Sequence, residues 1–127
     1  MTTDEPEPGQ PQPFNVESAD SGERWCQLTV RGDVDVDAVP RLGNAVEDAL
    51  RRGRPHIAVD MSSVSFMDSN ALRALLRARD DARAHGGSLW VTRASRPVSV
   101  LLEMTALADL LGSGDEGPTR GGTEPPS

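Results

Sequence analysis

The residues with the most chemical potential lie in one run, Val59-Asp60-Met61-Ser62-Ser63-Val64-Ser65-Phe66-Met67-Asp68-Ser69-Asn70-Ala71-Leu72. It opens as an apolar strand and closes as a helix, and Asp68-Ser69 falls at the join. A serine at a helix start has its hydroxyl beside unpaired backbone N–H groups and the positive end of the helix dipole. Two chemistries suit such a group: nucleophilic hydrolysis, or acceptance of a phosphoryl group. A nucleophilic serine needs a base and commonly sits in Gly-x-Ser-x-Gly on a strand–turn–helix. Here the string is Met67-Asp68-Ser69-Asn70-Ala71, without flanking glycines, and His56 and His85 are the only histidines. Hydrolysis is not expected. A phosphoryl group on Ser69 would be accommodated locally and would add about −1.5 to −2 charges beside Asp68. A partner packed on that helix end would then meet a bulky dianion, and binding would be lost without refolding the domain. In the plainest reading Asp68 and Ser69 simply cap the helix, a role compatible with phosphorylation.

Other chemistries find no support. One cysteine and two histidines lack the ligand spacing of a zinc site, and a chain with no lysine cannot hold a Walker-type phosphate loop. No metal or cofactor is expected, and the chain is not expected to be an enzyme.

The elements that must position Ser69 follow from periodicity. Phe14–Ser18 and Trp25–Arg31 read as a β-hairpin turning at Asp20-Ser21-Gly22, with Cys26, Leu28 and Val30 alternating against Gln27 and Thr29. Gly32-Asp33 is expected to end the second strand. Pro40–Arg51 reads as a helix, with Val39, Leu42, Val46 and Leu50 at three- and four-residue spacings and Pro40 in a first turn that needs no N–H there. His56–Met61 is a short apolar run suited to a central strand, and residues 62–67 read as a loop. A long helix follows to Ala84, with Leu72, Leu75, Leu76 and Ala82 inward and Arg73, Arg77, Asp80 and Asp81 solvated. His85-Gly86-Gly87 stops it. Leu89–Thr92 is a last strand, and residues 97–111 hold one or two short helices. The order β-β-α-β-α-β-α implies an α/β fold: a mixed four-stranded sheet, parallel except at its opening hairpin, with helices mainly on one face.

Length and charge narrow the partners. The 127 residues suit one domain, placed at 13–111. Residues 1–12 and 112–127 are Pro-, Gly- and acid-rich, too poor in apolar side chains to offset the entropy of ordering, and are expected to be disordered tails. The net charge is −7 and much of the acidity lies in these tails, so no basic patch exists to bind nucleic acid. Neither a signal peptide nor an apolar stretch of about 18 residues is seen, so no membrane association is expected. Lone Cys26 fits a reducing compartment, and the expected location is cytoplasmic. Every basic residue is arginine, which suggests a GC-rich bacterial genome.

The central run resembles the signature of the anti-sigma-factor antagonists of the STAS family, where a strand and loop end in Phe-x-Asp-Ser-(Ser/Thr)-Gly-Leu. Three further blocks match in order. Arg31-Gly32-Asp33-Val34-Asp35 resembles the family's turn after the second strand. His85-Gly86-Gly87-Ser88-Leu89 resembles its helix stop and last strand, and Leu101-Leu102-Glu103-Met104-Thr105-Ala106-Leu107 its closing helical segment. The resemblance spans about residues 14–111. It departs at Asn70-Ala71, where the family has Ser/Thr-Gly, and at Ala106, where it has glycine. It implies a STAS-like fold and partner switching. Unphosphorylated protein binds an anti-sigma factor that is also a serine kinase, phosphorylation of Ser69 releases it, and a PP2C-type phosphatase reverses the change. The implied partner-binding surface is Asp35, Asp68, Asn70 and Arg73 around Ser69. The rival reading is a STAS accessory subunit of a transporter or signalling scaffold in which Ser69 is never modified.

Overall fold

The computed structural model describes residues 12–111. The tail segments 1–11 and 112–127 lie outside the described residues. Gln12, expected in the first tail, belongs to the fold: its N–H donates to Asp33 Oδ2 at 3.0 Å, and its carbonyl accepts from Asp33 N–H at 3.1 Å.

Strands β1 (Asn15–Asp20), β2 (Trp25–Val34), β3 (His56–Met67) and β4 (Ser88–Ala94) form one sheet in the order β1-β2-β3-β4. The hairpin β1–β2 is antiparallel, whereas β2–β3 and β3–β4 are parallel, so the mixed four-stranded α/β architecture is as the sequence predicts. Helix α1 (Val39–Arg51) crosses from β2 to β3 and α2 (Ser69–Ala84) from β3 to β4. Two successive right-handed crossovers running the same way along a sheet put both helices on one face. Helices α3 (Arg96–Met104) and α4 (Ala108–Leu111) close the chain. A single continuous core joins Leu28, Val59 and Val91 of the strands to Leu42 of α1, Leu75 of α2 and Leu102 of α3.

The strands run further than expected. Gly32-Asp33 does not end β2. The strand passes through it with register shifts between Thr29 and Arg31 and between Gly32 and Asp33, and β3 continues through the supposed loop 62–67 because Arg31–Val34 pair with Ser63–Met67. Polar Ser63 is strand here because it pairs with Arg31 of the extended neighbour, and the N–H of Ser62 is met by Asp60 Oδ1 at 2.9 Å. On the opposite face, Trp25 stacks on His56 with ring centroids 4.5 Å apart and meets Trp90 edge-on at 5.6 Å. Burial, with Arg24 nearby, pushes the His56 imidazole below its usual pKa.

Helix ends are closed by one device used repeatedly. After α2, the N–H of Gly87 reaches Ala82 O at 2.8 Å and that of Gly86 reaches Arg83 O at 3.0 Å, with Gly86 at φ +81°. After α3 the same pair of bonds recurs, Leu107 N–H to Leu102 O at 2.9 Å and Ala106 N–H to Glu103 O at 3.2 Å. The left-handed residue there is alanine, at φ +60°. Its Cβ costs roughly 1 kcal/mol in that conformation. Ala106→Gly is therefore expected to stabilise the domain by about 0.5 kcal/mol after the added unfolded-state entropy, read as a higher urea midpoint.

Candidate functional site

The parallel pairing of β2 with β3 sets the site. Val34 and Met67 are partners, so the residues that follow them, Asp35 and Asp68, leave the same edge of the sheet side by side. The N–H of Asp68 donates back to Val34 O at 3.4 Å. From that edge β2 turns into α1 and β3 into α2, and the two turns are built alike around aspartates. Asp35 Oδ1 accepts from the N–H groups of Asp37 at 3.1 Å and Ala38 at 3.3 Å. Asp68 is the N-cap of α2, extended at φ −105° and ψ 179°, and its Oδ1 accepts from Ala71 N–H at 3.0 Å.

Ser69 is thereby the first residue of α2, and it is exposed, as are Asn70 and Arg73. The structure thus brings the predicted site residues Asp35, Asp68, Ser69, Asn70 and Arg73 to one end of the domain. Each aspartate spends one carboxylate oxygen on a cap and keeps its Oδ2 free of any hydrogen bond among the described residues. Asp33, by contrast, is held internally, with Oδ1 accepting from Ser65 Oγ at 2.7 Å and Oδ2 from Gln12 N–H. It clamps the bulged part of the sheet beneath the site. Ala71, which stands where the family has glycine, is fully buried and its methyl packs into the core.

Two residues of this edge escape a reading by residue type. Val36 is 59% exposed and Phe66 48% exposed, one just beyond the end of β2 and the other two residues before Asp68. Large apolar side chains left in water beside a polar centre are the composition of a protein-docking surface rather than of a catalytic cleft. The signal in the sequence was an apolar residue set among polar ones, Asp35-Val36-Asp37 and Ser65-Phe66-Met67-Asp68. A separate open cleft of about 270 Å³ lies between α1 and α2, floored by Val46, Ala74 and Ala78, and Ser69 does not line it. Among the described residues, no three His, Cys, Asp or Glu side chains converge as a metal site would need, and no helix is long and apolar enough to cross a membrane. Cys26 is buried, and desolvation raises its thiol pKa despite nearby Arg52, which leaves it a poor nucleophile.

The cap makes a prediction independent of any partner. Asp68→Ala leaves the Ala71 N–H without its acceptor, and an N-cap aspartate is worth about 1 kcal/mol. A loss of that size is expected in urea unfolding, with the far-UV spectrum of the folded state unchanged.

Comparison with known proteins places this geometry. The family profile described as "Mlab, STAS domain" matches residues 18–112. The chain belongs to the STAS-domain family. Among curated proteins similar to this STAS protein is an anti-sigma-B factor antagonist of Staphylococcus aureus, 27% identical over 98 residues that make up 77% of this chain and 90% of that one. A similar protein from Staphylococcus epidermidis carries the same name, at 26% identity over the same share. Among solved structures, an anti-sigma factor antagonist from Mycobacterium paratuberculosis superposes with a TM-score of 0.71 at 19% identity, covering 83% of this chain and 88% of that one. SpoIIAA in its unphosphorylated form gives 0.67 at 19% identity over 80% and 88%. The phosphorylated form of SpoIIAA, from Bacillus, gives 0.62 at 18% identity over 80% and 91%. These likenesses establish the fold as STAS-like, and the similar proteins are named as anti-sigma factor antagonists.

Proposed function

We propose that this STAS protein is an anti-sigma-factor antagonist controlled through Ser69. In its unphosphorylated form it docks the end of the domain that carries Ser69 on an anti-sigma factor that is also a serine kinase, freeing the sigma factor. The observation that carries the reading is an exposed serine opening α2 at the end of the sheet where Val36 and Phe66, near the paired Val34 and Met67, also stand exposed. The apolar pair supplies the desolvated contact, while Asp35, Asp68, Asn70 and Arg73 supply polar ones. The names of the similar proteins support the same reading, as does the existence of SpoIIAA in phosphorylated and unphosphorylated forms.

The switch is a phosphoryl transfer. Ser69 Oγ attacks the γ-phosphorus of ATP held by the kinase, the bond from that phosphorus to the β–γ bridging oxygen breaks, and ADP leaves. The hydroxyl proton passes to a base on the kinase. A PP2C-type phosphatase reverses the state by hydrolysis, water returning the serine and inorganic phosphate. The cycle runs in the cytoplasm and needs neither nucleic acid nor a membrane. It is tested by intact-mass spectrometry after incubation with ATP and each candidate anti-sigma kinase of the same organism. A gain of one phosphoryl group, absent in Ser69→Ala, is expected. Stable complexes with no gain from any kinase would overturn the switch and favour an accessory subunit that is never modified.

A further inference from the structure

We propose that Arg73 is the internal counter-ion of phosphorylated Ser69, so that phosphorylation withdraws a cation from the docking surface as well as adding an anion to it. This rests on the reading of Ser69 as the phosphorylated residue. Ser69 and Arg73 are four residues apart on one uninterrupted helix, α2, and both are exposed. Side chains at that spacing share a face, and helical side chains lean toward the N-terminus, so the Arg73 guanidinium extends back over the turn that begins with Ser69. An anion four residues N-terminal to a cation is the favourable order.

The charges around the pair leave Arg73 available. Among the described residues Arg51, Arg52, Arg54 and Arg79 make ion pairs with carboxylates, and Arg73 makes none. The nearest acid in sequence, Asp68, has Oδ1 turned to Ala71 N–H, and Asp35 Oδ1 is turned to Asp37 and Ala38. Arg73 is the only basic residue in the first two turns of α2; Arg77 starts the third, roughly 12 Å along the axis from Ser69. A guanidinium fork matches two phosphate oxygens at once, which an ammonium does not.

The consequence is two states for one side chain. Without phosphate, Arg73 projects into solvent and is offered to the partner. With phosphate, it folds back on the dianion and is no longer offered. The phosphorylated form then carries its own neutralising charge, and its helix start is stabilised rather than strained by like charge from Asp68.

The test uses full-length protein with phosphoserine installed at position 69 during translation, so that no kinase is required. The second ionisation of the phosphate is followed by 31P NMR as pH is varied, in the parent, Arg73→Gln, Arg73→Lys and Arg77→Gln. Removal of Arg73 is expected to raise that pKa by about 0.3. Lysine should restore part of the difference, Arg77→Gln should leave it in place, and about 1 M salt should erase it. Identical titration of the parent and Arg73→Gln at low salt, or an equal effect from Arg77→Gln, overturns the proposal. Far-UV circular dichroism on the same samples shows that α2 is intact, as expected for substitutions of exposed side chains. Failure of every kinase to modify Ser69 would sink the functional reading yet leave this titration unchanged, so the two failures are distinguishable.

Discussion

Ser69→Asp is expected to weaken binding to the cognate anti-sigma factor by about 100-fold or more while leaving the fold as stable as before. The two halves of that result have separate causes. Ser69 is exposed at the first position of α2 and makes no side-chain hydrogen bond among the described residues, so nothing internal is lost. A carboxylate in a first helical turn meets the positive end of the dipole and is worth some tenths of a kcal/mol in the helix's favour. At the interface the same charge is desolvated beside Asp68 and Asp35. Like charge and unpaired burial cost on the order of 3 kcal/mol there, which is about 100-fold in affinity. Calorimetric titration against the purified partner measures the first half and thermal unfolding the second. Ser69→Ala should bind as the parent does, because a methyl group adds neither charge nor bulk. Unchanged affinity in Ser69→Asp would place the docking surface elsewhere on the domain. Lost affinity together with lost stability would mean that the serine supports the fold.

A large loss of stability is expected from Gly87→Ala. Gly87 lies where the end of α2 enters β4, against the residue that precedes β3. A Cβ there would sit 2.1 Å from the carbonyl oxygen of Pro55 and 2.4 Å from its carbonyl carbon. That oxygen is already the acceptor for Ser88 N–H at 3.0 Å, in the first row of the β3–β4 ladder, where His56 pairs with Ser88. Backbone cannot rotate aside as a side chain can, so relief requires prising β4 from β3 at its start. The cost is expected to be about 3 kcal/mol or more, lowering Tm by about 12 °C or more for a domain of this size. The neighbouring Gly86→Ala is the internal control. Gly86 has the positive φ, but its Cβ would meet nothing closer than Arg24 Nη2 at 4.0 Å, so only the backbone strain of about 1 kcal/mol applies. Equal losses in the two variants would mean that the close approach to Pro55 relaxes freely.

These glycines also show how far the sequence could be read. Two glycines after a helix announce a stop, and the left-handed cap at Gly86 follows from that pattern. That the second glycine is required by Pro55, more than thirty residues earlier, does not follow. Ala106 is the complementary case: its sequence neighbours resemble a family segment with glycine at that position, and the structure holds the left-handed conformation with alanine in place.

Local information determined the elements and the chemistry of this STAS protein. Alternation in Trp25–Arg31 specifies a half-buried strand, the three- and four-residue spacings specify α1 and α2, and Asp68-Ser69 specifies a capped helix start with an available hydroxyl. Each depends on residues within a turn or a strand of one another. Tertiary structure alone decided where β2 and β3 end, because Arg31–Val34 and Ser63–Met67 become strand only when each finds the other to satisfy its backbone. It likewise decided that Asp33 is an internal clamp while Asp35 holds the turn into α1 beside Asp68, and that Val36 and Phe66 remain in water. Strand pairing brings together residues some thirty positions apart, and exposure depends on what the rest of the chain covers; neither property is carried by a residue or its immediate neighbours.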